Sequence, residues 1–157
     1  MKKNVKLPSM MQNTDISSAE KRKNEKELIK MLKTGLKGRE QAIVSLSKSA
    51  KEMGSGSLEV FATPALVALM EAASVNCIHG LLEQGQTTVG MSINVKHTSP
   101  TALGMTVGAE SELTEIDGRR LVFKITAYDN AGVIGSAVHE RMIVDGAKLL
   151  EKAASKR

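Results

Sequence analysis

The segment from Glu59 to Leu82, EVFATPALVALMEAASVNCIHGLL, is the one long apolar stretch of the chain, and it carries an acid in its middle. Thr63 followed by Pro64 marks a helix start: a threonine oxygen can cap free backbone N–H groups, and proline at the first helical position forfeits no intrahelical bond. The spacing predicts a helix over 64–79. Leu66, Val67, Leu69, Met70, Ala72, Ala73, Val75 and Ile78 point in all directions around its axis, and a helix apolar on every side is a buried one. Glu71 lies inside it. A carboxylate there has to be paired, hydrogen-bonded or shifted in pKa, because an isolated buried charge costs more than a domain's net stability can absorb. The rest of the chain must therefore cover this helix and answer its acid.

Downstream, the pattern changes period. Val89, Met91, Ile93 and Val95 alternate with Gly90, Ser92, Asn94 and Lys96, which predicts a strand over 87–98 with His97 on its apolar face. The Thr98–Thr101 segment with Pro100 breaks it, and Met105, Val107, Ala109, Ser111 and Leu113 resume the alternation. Asp117-Gly118 reads as a two-residue hairpin loop leading to Leu121, Phe123, Ile125 and Ala127; Asp129 to Gly132 forms a second loop before a strand over 133–144. A short helix closes the chain, and an irregular strand centred on 42–46 precedes the Gly54–Ser57 loop. Strand, long helix, then four antiparallel strands predicts an α+β fold: one antiparallel sheet wrapped around one long central helix.

Residues 1–34 hold nine Lys and Arg against four Asp and Glu, while 35–157 hold thirteen of each. The basic excess is confined to an N-terminal extension, read as a flexible arm over 1–16 followed by a helix capped by Ser17 or Ser18 and ending near Gly35. A nucleic-acid role for the whole domain has no electrostatic support, and aromatics at 2% leave no stacking surface. At 157 residues, with no run of about 18 apolar residues, the expectation is one soluble domain without membrane insertion. The lone Cys77 excludes an internal disulfide and reads as a buried, inert thiol in a reducing cytoplasm. No histidine pair has metal-ligand spacing, so no metal site is expected.

The order of elements, with VFATPALVALMEAA, QTTVG, VKHTSPTALGMTV, DGRRLVF and IGSAVHER in sequence, resembles the hotdog-fold acyl-CoA thioesterases, and within them the fluoroacetyl-CoA thioesterase-like group. The resemblance covers roughly 36–146. It implies a hotdog thioesterase-like domain over 35–157, a homodimer joined sheet edge to sheet edge, and acyl-CoA sites at the subunit interface. It implies catalytic roles for Thr63, Glu71 and His97, and substrate-binding roles for Gly90, through backbone N–H groups near the thioester oxygen, and for Arg141, beside the acyl pocket. No cofactor is implied beyond coenzyme A as part of the substrate. Lys96, Arg119, Arg120 and Lys124 are candidate partners for its phosphates.

The residues support these roles only in part. Thr63 offers a hydroxyl, His97 a base with a pKa near neutrality, and Glu71 a carboxylate. Structural readings compete: Thr63 as an N-cap, His97 as a core histidine, Gly90 as room for a bulge, Arg141 as a surface ion pair with Glu140. Eight helical residues separate Thr63 from Glu71 by about 12 Å, so either His97 lies between them or a two-fold interface brings one subunit's acid to the other's threonine. Fluoroacetyl selectivity calls for a tight apolar pocket, which Gly54-Ser55-Gly56-Ser57 does not suggest. A protein that binds acyl-CoA without turnover is the alternative.

Overall fold

A computed structural model of the chain describes residues 17–157, and within them the side chains of all but residues 24–30. In order the elements are α1 (Ser18–Met31), β1 (Lys37–Ile43), a 3-10 turn (Leu46–Lys48), α2 (Ala50–Met53), α3 (Thr63–Cys77), β2 (Gln86–His97), β3 (Thr106–Asp117), β4 (Arg120–Asp129), β5 (Gly132–Asp145) and α4 (Gly146–Ala154). The strands form one sheet in the order β1-β3-β4-β5-β2, with every neighbouring pair antiparallel. The expected architecture is present: α3 packs across the inner face of the sheet, and Leu66, Met70 and Ala73 meet Val107, Leu113, Leu121, Phe123 and Ile134 in the core.

One close approach and one turn depend on glycine. A Cβ at Gly38 would overlap the backbone of Ala73 and Cys77, so its absence lets β1 close onto α3. At the β3–β4 hairpin Asp117 pairs with Arg120, which makes the loop Gly118-Arg119 rather than Asp117-Gly118; Gly118 takes φ 59°, the left-handed conformation that suits glycine at the first loop position.

Three further expectations need correction. The first strand is Lys37–Ile43, not 42–46: three of its outward residues, Lys37, Arg39 and Gln41, are polar, and beyond Val44 the backbone leaves the sheet for the 3-10 turn. The long helix is not buried on all sides, since Val75 is 42% exposed and Ala68 lies open, leaving one apolar flank uncovered in the protomer. Its N-cap is Ala62, with no side-chain cap bond, so Thr63 is its first helical residue. The expected Gly54–Ser57 loop is present and follows α2, with Gly54 as its left-handed C-cap.

At the ends, Ser17 caps α1 in a capping box with Glu20, and α1 stops at Met31, short of Gly35. The expected flexible arm over 1–16 lies outside the described residues. Leu32 is buried in the core. Asp145 caps α4 by accepting from the Lys148 N–H. Cys77 is buried, its thiol donates to the Leu36 carbonyl (3.1 Å), and burial pushes its pKa up, which accounts for an inert thiol. Among the described residues no helix is long and apolar enough to cross a membrane.

Candidate active site

Displacing the N-cap to Ala62 frees the Thr63 hydroxyl for a tertiary partner. Thr63 Oγ1 lies 2.8 Å from Nδ1 of His97, the last residue of β2. The imidazole is half-buried, edge-on to Phe61 with ring centroids 6.3 Å apart. Burial holds its pKa below the ordinary value, with the Ser99 backbone acting in the opposite sense. Among the described residues its Nε2 is buried without a hydrogen-bond partner, so Nδ1 is the ring nitrogen that meets the threonine. The pair opens onto a cleft of ≈ 300 Å³ lined also by Ala50, Ser55, Phe61 and Pro100. No side chain among the described residues caps α3; the Ala62 N–H donates to the Lys48 carbonyl and Pro64 has none, which leaves the N–H groups of Thr63 and Ala65 at a helix start, where a developing anion is favoured.

Glu71 belongs to a different cluster. Its side chain is 38% exposed, and Oε2 accepts from Arg141 Nη1 at 2.9 Å. Arg141 is buried. It donates through Nε to Thr88 Oγ1 and through Nη2 to the Thr88 carbonyl, both at 2.9 Å, and its Nη1 lies 3.2 Å from His139 Nε2. The surface pair of Arg141 with Glu140 is thereby ruled out: Glu140 bonds Arg120 at 2.7 Å, on the other face of β5. Gly90 joins the Glu71 cluster through a register shift between Gly90 and Ser92. The bulge at Met91 turns Thr88 and Gly90 inward ahead of it and Ile93, Val95 and His97 inward after it, so the expected single alternation fails and Met91 is 59% exposed.

Of the two alternatives for Thr63 and Glu71, the first fails within one chain. His97 bonds Thr63, Glu71 bonds Arg141, and the candidate residues divide into two halves. Thr88 and His139 were not anticipated. His139 stands two residues from Arg141 on β5, and that spacing put both on one face.

Of the basic residues considered for coenzyme phosphates, Arg120 is engaged by Glu115 and Glu140. Lys96 and Lys124 share an outer-face depression with Glu110 and Glu112, and Arg119 sits near Lys148. A more apolar groove of ≈ 410 Å³ runs along the β1 side of α3 past Ala65, Leu69 and Ala72. Phe61 is the one residue it shares with the cleft at His97. Among the described residues no group of three His, Cys, Asp or Glu side chains could hold a metal ion.

Gly90 provides a direct check on the second half. A Cβ there would lie 2.8 Å from Glu71 Oε2 and 3.4 Å from His139 Cε1. The carboxylate is the flexible end of its side chain, so Gly90→Ala is expected to leave the thermal midpoint nearly unchanged. If Glu71 takes part in the chemistry, activity falls by up to about a hundredfold, the cost a misplacement of about 1 Å can carry. Steady-state kinetics beside thermal unfolding measure both.

Comparison with known proteins matches the family model described as FlK, fluoroacetyl-CoA-specific thioesterase, over residues 44–147. A fluoroacetyl-CoA thioesterase of Streptantibioticus cattleyicolor is 41% identical over 98 residues, covering 62% of this chain and 70% of the relative. A crystal structure of the fluoroacetyl-CoA thioesterase FlK superposes with a TM-score of 0.76 at 32% identity, over 80% of this chain and 98% of that one. A Thermus thermophilus protein described as a thioesterase superfamily member gives 0.71 at 25%, over 80% and 94%. A hot-dog-like protein from Thermanaerovibrio acidaminovorans, at 22% identity and 0.74 over 83% and 96%, shares the fold.

Proposed function

The chain belongs to the fluoroacetyl-CoA-specific thioesterase family and hydrolyses an acyl-CoA thioester; we propose that it does so at a composite site, Thr63 and His97 from one protomer and Glu71, Gly90 and Arg141 from its partner. The observation that carries this reading is the division of the candidate residues into two halves lying beside opposite ends of β2.

Among the described residues β2 is an edge strand, bonded to β5 on one side only. An exposed edge is a template for pairing, and a two-fold axis makes the pairing self-complementary. An antiparallel β2–β2 pair about an axis through Asn94 sets Val95 opposite the partner's Ile93 and Lys96 opposite its Ser92, and with Met91 bulged out His97 comes opposite the partner's Gly90. That places Thr63 and His97 against the partner's Glu71 and closes two identical sites.

The chemistry follows from the donors and acceptors. His97 Nδ1 accepts the Thr63 proton and the threonine oxygen attacks the thioester carbonyl. The uncapped N–H groups at the start of α3 face the developing oxyanion, and Gly90, lacking a Cβ, lets the thioester come close to its backbone. Coenzyme A leaves as the thiol. Water directed by the Glu71 carboxylate, held by Arg141, then cleaves the acyl-threonine ester. The reading is of a cytoplasmic homodimer that needs no cofactor: hydrolysis consumes only water, and Cys77 is a single unpaired thiol. Ala50 and Ser55 make a wall of small side chains with one aromatic ring, Phe61, so selectivity for the fluoroacetyl group is not carried over from the relatives. Thiol release from acetyl-, octanoyl- and phenylacetyl-CoA tests the activity. Tight binding of these thioesters with no thiol released would instead identify an acyl-CoA binding protein.

The pH profile is a separate prediction. His97 takes a proton only when neutral, and burial lowers its pKa. Less of it is protonated at any given pH than for a solvated imidazole, so the acid limb of kcat/KM is expected below the ordinary value of about 6.5. The partner's Glu71 carboxylate acts in the opposite sense in the composite site, so Glu71→Gln is expected to move the limb further down.

A further inference from the structure

His139 is a buried titratable group that the mechanism above does not use. It is 1% exposed, on β5 between Ile93 of β2 and Phe123 of β4. Both of its ring nitrogens are engaged, and their partners allow one arrangement of protons. Nδ1 lies 2.8 Å from the Ser92 carbonyl, which can only accept, so Nδ1 carries the hydrogen. Nε2 lies 3.2 Å from Arg141 Nη1, which can only donate, so Nε2 presents its lone pair. The ring is therefore the neutral Nδ1–H tautomer. Its Nε2 is also 3.8 Å from Glu71 Oε2, but in this tautomer that contact is not an ion pair. The pKa direction agrees: burial, the largest influence, lowers it, and the Arg141 charge adds to that against the Ser92 carbonyl and Glu71.

We propose that His139 is a positioning residue for hydrolysis: by accepting from Arg141 Nη1 and donating to the Ser92 carbonyl beside the Met91 bulge, it sets the orientation in which Arg141 holds the Glu71 carboxylate. The inference rests on the composite-site reading of Glu71. Thr88 fixes the Nε and Nη2 side of the guanidinium, and His139 fixes the Nη1 side, from which Glu71 is reached. Without His139 the Nη1 end is held only by the half-exposed carboxylate it is meant to position. Tying Nδ1–H to Ser92 also couples this orientation to the bulge that turns Gly90 inward.

The test uses the full chain, the thiol-release assay with acetyl-, octanoyl- and phenylacetyl-CoA, and thermal unfolding of every variant. His139→Phe keeps a ring and removes both hydrogen bonds, His139→Asn keeps a donor near the Nδ1 position, and His139→Gln keeps an acceptor near the Nε2 position. The Phe and Asn variants are expected to lose about tenfold or more in kcat with KM within about threefold, and Gln to recover most of the loss, because the Nε2 acceptor is what orients the guanidinium. In a Glu71→Gln background, His139→Phe is expected to add little, since residues that act through one another are non-additive. Wild-type kcat in the Phe variant, equal losses in Asn and Gln, or full additivity with Glu71→Gln would each overturn the inference. Wild-type activity in Glu71→Gln itself would remove the composite-site reading, and is read independently of the His139 variants.

Discussion

His97→Ala is expected to lower kcat/KM for the preferred acyl-CoA by about 10²- to 10⁴-fold, the range by which a positioned general base contributes. The case rests on geometry. Nδ1 is within hydrogen-bonding distance of Thr63 Oγ1, and Nε2 is sealed from solvent, so no other ring position can take the threonine proton. Thr63→Ala removes the other member of the pair and is expected to cost a similar factor. The two together should cost little more than either alone, since a nucleophile and its base act as a unit. The substitution removes a buried, unpaired nitrogen along with the base, so any loss of stability comes from the space opened beside Phe61 and stays modest beside the catalytic effect. Kinetics of the three variants with thermal midpoints alongside give the result. A His97→Ala protein within a few-fold of wild type would remove His97 from the chemistry.

The sequence made α3 and the later strands legible because their burial is periodic. Leu66, Met70, Ala73 and Cys77 repeat at helical spacing, and Val107, Ala109, Ser111 and Leu113 alternate on a buried face. β1 escaped for a physical reason: three of its outward residues are polar, and the inward residue that seats it on α3, Gly38, has no side chain to signal burial. The bulge at Met91 was equally hidden. A strict period of two carried through it assigns Gly90 to the outer face, whereas one inserted residue turns it toward Glu71.

The site shows the same division. Thr63 before Pro64 was readable as a helix start, but a shift of one residue decides whether its hydroxyl caps the helix or bonds His97, a partner 34 positions away. Arg141 was more accessible than the neighbouring Glu140 suggested, since adjacent residues on a strand face opposite sides and cannot form one surface pair. With that pair excluded, the buried arginine and the acid of α3 become mutual partners, which answers the charge that made Glu71 anomalous in an apolar helix. In the proposed composite site the two halves meet only across a second copy, which a single chain's sequence does not contain.

That second copy gives the sharpest expected result. Thr63→Ala and Glu71→Gln homodimers should each be nearly inactive, because every composite site in them lacks one group. In a mixed dimer one site lacks both groups and the other has Thr63 and His97 from one protomer and Glu71 from the other, fully intact. Random exchange in an equal mixture makes about half the dimers mixed, and with one good site of two the recovered activity should reach about a quarter of wild type. No arrangement confined to a single chain gives this recovery, since each polypeptide would still carry its own defect. Subunit exchange, by partial denaturation or co-expression with two tags, followed by the thiol-release assay, measures it. Recovery should be absent when both partners carry Thr63→Ala, and absent again when one chain carries both substitutions and its partner is Thr63→Ala. Mixed dimers that form yet stay inactive would overturn the composite site, since that is the result expected when Thr63 and Glu71 of each site come from the same chain.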